Sequence, residues 1–245
     1  MRDVKTESVN GQASLAIIVP VLNEALRANN LVAQLAEQDA EQIIIVDGGS
    51  TDGTLVKLTT AITQAKYPNR FQLAQTVMGR ALQMNYGADH SESELICFLH
   101  ADTVLPKRAG REIRAALLNA DWGRFNIQLD SPHWMLKIVA TMINLRSKLS
   151  GIATGDQAIF IRRSMFEQIG TYPDIPLMEE VALCHALKAR GNRPACLKTI
   201  ATTSARRWLE HGIVKTILTM WYLRFAYWKG VNPTELAAKY KQAES

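Results

Sequence analysis

Short apolar runs rich in β-branched residues recur along the N-terminal part of the chain, and each ends at a polar loop. Residues 15–19, 43–46 and 95–99 are such runs, and 71–76 is a weaker fourth candidate. Runs of this length are typical of strands that are buried on both faces of a parallel sheet. Segments with helical spacing lie between them, at residues 26–39, 54–65 and 80–90. This alternation predicts an α/β fold with a mostly parallel sheet and helices on both faces.

The remaining residues are less regular. An extended segment is predicted over residues 121–130, helices over 134–149 and 179–190, and a short strand over 158–161. No internal repeat or Ser/Gly-rich linker divides the chain. We therefore expect one α/β domain over residues 15–210. A frayed tail is expected before it, over residues 1–14, and a helical extension packed on it is expected over residues 211–245.

Composition narrows the class of protein only partly. The net charge is +5 and the isoelectric point about 9.2, which suits an anionic small molecule, a nucleic acid or an anionic membrane. No nucleic-acid recognition motif is present, so we expect no nucleic-acid partner. Cys97, Cys184 and Cys196 lie among apolar neighbours without C-x-x-C spacing, which predicts reduced thiols in a cytoplasmic protein. Residues 1–14 lack the apolar core of a signal peptide.

A glycine-rich loop, D-G-G-S-T-D-G, follows the second apolar run at residues 47–53. Glycines permit a tight turn and a close approach of the backbone to a ligand. Asp47 lies just past the strand, where its carboxylate can accept a hydrogen bond from a base N–H. Asp52 can instead cap the next helix. The alternative is a strand-to-helix turn with no ligand.

A second polar segment, F-L-H-A-D-T, follows the run that ends at residue 99. In an extended chain, His100 and Asp102 point the same way. A divalent cation held there would bridge the two phosphates of a nucleotide diphosphate and offset the charge on the leaving group. The carboxylate suits Mg²⁺ or Mn²⁺, and the imidazole favours Mn²⁺. The alternative is a pair of ordinary loop residues.

Adjacent carboxylates, Glu179 and Glu180, begin one of the predicted helices. Acidic residues in a first turn interact favourably with the helix dipole, and this alone explains the pair. The functional interpretation makes Glu180 a general base for an acceptor hydroxyl.

The segment S-A-R-R-W ends at residue 208. Arg206 and Arg207 can bind phosphate oxygens, and Trp208 offers a flat face to a sugar ring. Surface charges beside a core tryptophan are the alternative.

These motifs, in this order, resemble the family 2 glycosyltransferases, which have the GT-A fold. I-V-P-V-L-N-E resembles the family's first strand and loop, V-D-G-G-S-T-D-G-T its most specific signature, and G-R-A-L-Q-M-N-Y-G its donor-binding helix entry. His-Ala-Asp stands where the family carries D-x-D. The resemblance extends from about residue 15 to 230. Four segments resemble a small bacterial subfamily of stand-alone enzymes. They are residues 98–103, 155–160, 176–179 and 204–208.

The resemblance assigns roles residue by residue. The donor nucleotide is assigned to Pro20, Val21, Asn23, Glu24, Asp47, Gly48, Gly79, Arg80, Asn85 and Ala101. The sugar, the acceptor or the diphosphate is assigned to Gly155, Asp156, Gln157, Arg206, Arg207 and Trp208. The divalent cation, Mn²⁺ or Mg²⁺, is assigned to Asp102 with His100. Glu180 stands at the family's usual base, with Glu179 as the substitute.

The resemblance thus implies an inverting, hexosyltransferase-type enzyme that moves a sugar from a nucleotide-diphosphate donor, commonly a UDP-sugar, to an acceptor hydroxyl. Three positions depart from the family pattern: Gly48 and His100 each replace an Asp, and Glu180 replaces the Asp base. They motivate one alternative, a non-catalytic nucleotide-sugar-binding protein. A sugar-1-phosphate nucleotidyltransferase is disfavoured, because residues 19–24 lack the basic glycine-rich loop expected of it.

Residues 212–229 are aromatic and apolar nearly all round, with Lys215 and Arg224 as interruptions. A spanning helix needs about 20 apolar residues, so we expect no transmembrane helix. Tryptophan and tyrosine beside lysine and arginine suit a peripheral contact with the inner face of the membrane, which would fit a lipid-linked acceptor. The alternative is packing on the domain or on a second subunit of a homodimer.

Overall fold

The computed structural model describes residues 12–244. Most of the tail expected over residues 1–14 therefore lies outside the described residues. The last residues of this tail are described. The Ser14 carbonyl accepts a hydrogen bond from the Leu95 backbone N–H at 2.9 Å, and the Ala13 carbonyl accepts one from the Arg114 side chain at 2.8 Å.

The described residues form one eight-stranded sheet with the order β3-β2-β1-β4-β7-β6-β8-β5. The strands are β1 (Leu15–Val21), β2 (Gln42–Asp47), β3 (Phe71–Gln75), β4 (Leu95–Phe98), β5 (Thr103–Val104), β6 (Trp122–Leu129), β7 (Phe160–Arg162) and β8 (Ala195–Thr203).

The first four strands in this order are mutually parallel, which confirms the predicted parallel arrangement. The other half of the sheet is mixed. β7 runs antiparallel to both β4 and β6, β8 is parallel to β6, and β5 is antiparallel to β8. The strands of this half were only partly predicted. β5 has only two residues, and apolar and polar side chains are mixed along β8.

Ten α-helices and two short 3₁₀ turns surround the sheet in the described part of the chain. The helices are α1 (Ala28–Ala36), α2 (Thr54–Thr63), α3 (Arg80–Asp89), α4 (Ala109–Ala116), α5 (Trp134–Ser150), α6 (Arg163–Gln168), α7 (Glu179–Ala189), α8 (Arg206–Glu210), α9 (Ile213–Trp228) and α10 (Pro233–Glu244). The sequence analysis did not predict α4, α6 and α8, and it predicted α10 only as part of the helical extension over 211–245.

Side chains that alternate along β1 build a core on each face of the sheet. Ile17 and Val19 pack with Leu35 of α1 in one hydrophobic cluster. Ile18, between them in sequence, packs with Met84 of α3 in a second cluster on the other face. A strand buried on both faces has no polar position, which is why it reads as a continuous apolar run.

The C-terminal helices pack around the start of α7. Leu223 and Ala226 of α9 and Leu236 of α10 form a cluster with Met178, which precedes α7. Among residues 12–244, no helix combines the length and the apolarity that crossing a bilayer requires.

Candidate active site

Loops from neighbouring strands converge at one edge of the sheet. β2, β1 and β4 are adjacent and parallel, so the loops that follow all three leave from the same edge. Ligands of such sheets bind outside the carboxyl ends of the strands. The predicted residues Asn23, Asp47 and His100 lie in or at the start of these loops.

The carboxylate of Asp47 is bound by its own loop. It is fully buried, and it accepts hydrogen bonds from the backbone N–H groups of Gly49 at 3.0 Å and Ser50 at 2.9 Å. The Gln75 side chain donates a third at 3.2 Å. Asp47 therefore holds the loop in shape, and its contact with a nucleoside base stays a prediction.

The loops after β1 and β2 are joined to each other. Asn23 adopts a left-handed backbone with φ 55°, which asparagine tolerates better than most residues. Its side-chain oxygen accepts a hydrogen bond from the Thr51 backbone at 2.9 Å, and its own N–H donates to the Ser50 hydroxyl at 2.8 Å. The Glu24 N–H donates to the Thr54 hydroxyl at 2.8 Å. The two loops thus form one wall of the candidate site.

Asp52 ties the same two loops together at a further point. Its carboxylate accepts hydrogen bonds from the backbone N–H groups of Ala25 and Thr54, both at 3.0 Å. A hydrogen bond from the Thr54 hydroxyl, aided by these backbone donors, holds the pKa of Asp52 below its usual value. The sequence analysis proposed Asp52 as a helix cap, but the N-cap position of α2 belongs to Gly53, which precedes the helix without a side-chain cap. Asp52 lies one residue earlier and binds the first N–H of α2.

Gln83 supports the candidate site from within the protein, and the sequence analysis missed it. Its buried side-chain amide donates to the carbonyls of Val21 at 2.9 Å and Val46 at 2.8 Å, so it bridges the ends of β1 and β2. A Cβ at Gly48 would lie 2.9 Å from the Gln83 Oε1 atom. The glycine at that position, one of the departures from the family pattern, therefore makes room for Gln83. A polar residue at an apolar position of α3 was the only available signal.

A cluster of charged side chains forms the second part of the candidate site. His100 lies between two carboxylates, with Nδ1 3.2 Å from Asp156 Oδ1 and Nε2 3.4 Å from Glu180 Oε1. Arg80 lies 3.3 Å from Glu179 Oε1 and 3.6 Å from Glu180 Oε1. These residues come from the loop after β4, the 3₁₀ turn before β7, and the first turns of α7 and α3.

The two adjacent glutamates have different pKa values because their surroundings differ. Burial and the neighbouring charge of Glu180 raise the pKa of Glu179 to about 7. Burial would also raise the pKa of Glu180, but His100 and Arg80 outweigh it and hold this pKa below its usual value. The pKa of His100 rises to about 9, because Asp156 and Glu180 outweigh the effects of burial and of Arg80. Glu180 is therefore the carboxylate that stays ionised near neutral pH.

Gly155 is required for this arrangement. A Cβ at that position would overlap His100 Nε2 and come within 2.5 Å of Glu180 Oε1. Any larger residue would therefore push His100 or Glu180 out of place.

Three of these residues form a group that could hold a metal ion. His100, Asp102 and Asp156 each offer a ligand atom, and these atoms all lie within 4.8 Å of one another. His100 Nε2 is buried and makes no well-formed hydrogen bond in the described structure, although Glu180 Oε1 lies 3.4 Å away. One imidazole and two carboxylates suit Mn²⁺ or Mg²⁺, so the residues fit the predicted cation. Asp156 was predicted on the sugar side, and the structure adds it to this group.

Other predicted residues lie around this centre. The Asn85 amide exchanges two hydrogen bonds with the Tyr172 backbone, at 2.8 and 3.0 Å. The buried Gln157 side chain accepts from the Thr154 N–H at 3.3 Å. Both use their polar atoms within the protein, and their contacts with ligands stay predictions. Pro20 and Val21 end β1, Gly79 precedes α3, and Ala101 lies between His100 and Asp102.

The arginine pair lies on α8. Arg206 and Arg207 are exposed, and the Arg207 guanidinium lies 5.3 Å from the centre of the Tyr240 ring. Trp208 is half-buried and packs in a small apolar cluster with Leu136 and Val139. Trp208 is therefore only partly in the core, with the two exposed arginines beside it in sequence, and the roles of all three residues stay predictions.

Arg224 of α9 is a second residue that the sequence analysis did not assign to the site. Burial lowers its pKa, and the charges of Asp156 and Glu180 oppose that effect. The helical extension therefore brings a positive charge towards the acidic cluster. A lone arginine in an apolar helix was the only sequence signal.

Residues 16–170, more than half of the chain, match the model of the family described as Glycosyl transferase family 2. No curated protein matches the sequence. Among solved structures, the mannosyltransferase PcManGT from Pyrobaculum calidifontis, in complex with GDP-Man and Mn²⁺, is 18% identical with a TM-score of 0.62, covering 79% of this chain and 57% of that one.

Residues 1–349 of TarS from S. aureus give similar values. In complex with UDP, TarS is 21% identical with a TM-score of 0.57, covering 78% of this chain and 60% of that one. In complex with UDP-GlcNAc, the TM-score is 0.55, with 21% identity and coverages of 78% and 58%. The chain thus spans less than two thirds of each of these structures, and the likeness shows the GT-A fold.

Proposed function

Because the chain belongs to glycosyl transferase family 2, we propose that it transfers a sugar from a nucleotide-diphosphate donor to an acceptor hydroxyl. The observation that carries this proposal is the cluster of Arg80, His100, Asp156 and Glu180 at the carboxyl edge of the parallel strands. It joins an ionised carboxylate, a group that suits a divalent cation, and a basic side chain in one place.

The donor is proposed to bind between the joined loops after β1 and β2 and the start of α3. Solved structures with the same fold contain GDP-Man, UDP or UDP-GlcNAc, which supports a nucleotide-sugar donor for this chain. UDP-sugars are our first choice. The guanidinium of Arg80 and the exposed pair Arg206 and Arg207 would bind the diphosphate oxygens.

Glu180 is proposed as the general base. Its carboxylate takes the proton of the acceptor hydroxyl while that oxygen attacks the anomeric carbon. The new C–O bond forms as the bond from the anomeric carbon to the phosphate oxygen breaks, and the electron pair leaves with the nucleoside diphosphate. A single displacement of this kind inverts the anomeric configuration. The ionisation of Glu180 near neutral pH, with Glu179 protonated more readily, supports this choice.

His100, Asp102 and Asp156 are proposed to hold Mn²⁺ or Mg²⁺. Because Asp156 and Glu180 raise the pKa of His100 to about 9, its imidazole must lose a proton when the cation binds. A bound cation would supply charge neutralisation at the departing diphosphate. The Mn²⁺ of the PcManGT complex supports this part of the proposal. The bacterial cytoplasm as the location, a lipid-linked acceptor and a homodimer stay predictions.

One observation favours a second candidate, a nucleotide-sugar-binding protein without transfer activity. His100 and Glu180 contact each other, and Arg80 contacts both glutamates, so the groups assigned to metal binding and catalysis are also engaged with one another. Binding without turnover would follow if these contacts persisted with the donor present.

Release of nucleoside diphosphate from a panel of nucleotide sugars, with Mn²⁺ or Mg²⁺, tests both candidates. Transfer or donor hydrolysis gives free nucleoside diphosphate, and we expect it from at least one donor. Donor binding in a thermal-shift assay with no release of nucleoside diphosphate would support the binding protein instead. Absence of donor binding across the whole panel would contradict both.

A further inference from the structure

One face of α5 exposes large apolar side chains along its whole length. They recur at helical spacing, and Trp134 is 66% exposed and Leu149 78% exposed. A helix packed into a core normally turns such a stripe inward. The exposed stripe consists of Trp134, Ile138, Met142, Leu145 and Leu149.

α9 carries a second stripe of the same kind. Trp221 is 68% exposed and Trp228 72% exposed, while Leu223 and Ala226 on the opposite side are buried. The sequence analysis singled out this helix, and the structure shows that it both packs on the domain and leaves an aromatic face outside. The exposed stripe consists of Val214, Leu218, Trp221, Phe225 and Trp228.

The two helices meet near the start of each. Leu136 and Val139 of α5 share one apolar cluster with Ile213 and Ile217 of α9. The two exposed stripes therefore belong to neighbouring helices, and we call their combined residues the two-helix face. A run of exposed apolar side chains along a helix face marks a site of interaction with a protein or a membrane.

The charges of these helices have one sign. The chain as a whole has 28 basic and 23 acidic residues, yet neither α5 nor α9 contains an aspartate or a glutamate. Lys137, Lys148 and Lys215 of these helices are exposed, and Lys229 follows α9. A face with apolar and aromatic side chains and only positive charges is complementary to an anionic lipid surface.

We propose that the two-helix face docks this protein on the surface of an anionic membrane. The exposed Trp134, Trp221 and Trp228 would lie at the level of the lipid headgroups, where tryptophan is enriched, and the lysines would contact the anionic headgroups. A second copy of the chain is a poorer occupant. In a two-fold dimer the same patch meets itself, so lysines would face lysines with no acidic partner on either helix.

This docking also relates to the candidate active site. α5 ends at Ser150, and the turn that carries Gly155 and Asp156 follows shortly after it. Arg224 of α9 lies close enough to Asp156 and Glu180 to interact with their charges. Both helices are thus linked to the candidate site, which suits an acceptor hydroxyl carried by a lipid. This last step rests on the proposed function.

Vesicle flotation of the full chain tests the docking. We expect binding to vesicles of phosphatidylcholine with phosphatidylglycerol, and weaker binding to phosphatidylcholine alone. Trp221→Ser should lower the partition coefficient on the order of tenfold. Lys215→Glu should lower it by a similar factor, on anionic vesicles only. Both positions are exposed, and circular dichroism would show that the variants are folded.

Matched variants elsewhere on the surface serve as controls. Leu118→Ser and Lys57→Glu alter exposed residues outside the two helices, and both should bind as the unchanged chain does. The proposal is overturned if the unchanged chain ignores anionic vesicles. It is also overturned if the two sets of variants bind alike, or if Trp221→Ser instead dissociates a dimer that does not bind vesicles. The assay needs no donor, so docking without nucleoside diphosphate release would contradict only the proposed transfer.

Discussion

At the scale of single residues, the candidate site depends on how two adjacent glutamates differ. Glu180 contacts His100 and Arg80, and its pKa is held below the usual value. Glu179 is only 2% exposed, and burial raises its pKa. Neighbouring positions in one helix turn thus receive different protonation states from their surroundings.

The Glu180→Gln variant should lose roughly 10²–10⁴-fold in turnover, because glutamine cannot accept the proton of the acceptor hydroxyl. Steady-state release of nucleoside diphosphate with a confirmed donor and acceptor measures this loss. Glu179→Gln is the matched control, and we expect its turnover to fall much less. Full turnover by Glu180→Gln, or the larger loss in Glu179→Gln, would show that Glu180 is not the base.

The Gly155→Ala variant should lose about 10²-fold or more in turnover, since its methyl group would displace His100 or Glu180 from its present place. Turnover and the thermal unfolding midpoint should be measured together. We expect a folded protein with low activity. Unchanged turnover would mean that the closeness of His100 and Glu180 is not needed for the reaction.

At the scale of elements, polar side chains join the ends of neighbouring strands. Gln83 of α3 donates to carbonyls at the ends of both β1 and β2. Asp52 and Asn23 connect the loops that follow these strands. A wall that is held by so many internal hydrogen bonds is organised before a ligand arrives, which lowers the entropic cost of binding.

The Gln83→Leu variant should lower the free energy of unfolding by about 1–3 kcal/mol, because the carbonyls of Val21 and Val46 each lose one hydrogen bond from a buried donor. Urea denaturation measures the change. Gln34→Leu, at an exposed position of α1, is the control and should be close to neutral. Equal stability of the Gln83 and Gln34 variants would contradict the bridging role.

At the scale of the whole molecule, the metal group exists only in the folded chain. His100 and Asp102 are neighbours in sequence, but Asp156 is 56 residues from His100. A ligand that binds only the native state raises its stability.

Mn²⁺ together with a nucleoside diphosphate should therefore raise the thermal unfolding midpoint. The double variant Asp102→Asn with Asp156→Asn should lose most of the shift that depends on Mn²⁺, because two of the three ligand groups lose their charge. Asp39→Asn is the control, because Asp39 is exposed and lies outside the group of His100, Asp102 and Asp156. An unchanged Mn²⁺ effect in the double variant would exclude this group as the metal site.

The sequence by itself determined the parallel half of the sheet and the loop motifs at its edge. β1, β2 and β4 are continuous apolar runs, because both of their faces are buried, and such a pattern is local. Helices α3, α5 and α7 were also predicted, because helical spacing is a local pattern too. Sequence patterns of this kind indicate which side chains of a segment are buried, but they do not identify the residues that those side chains contact.

Only the tertiary structure decided which distant residues meet. Asp156 joins His100, Gln83 bridges the ends of β1 and β2, and α5 meets α9 near the start of both helices. Each of these contacts depends on how helices pack against the sheet and on one another, and packing is set by the whole core. A local pattern carries no information about such partners, because the same side chain would suit solvent, a ligand or a buried carbonyl equally well.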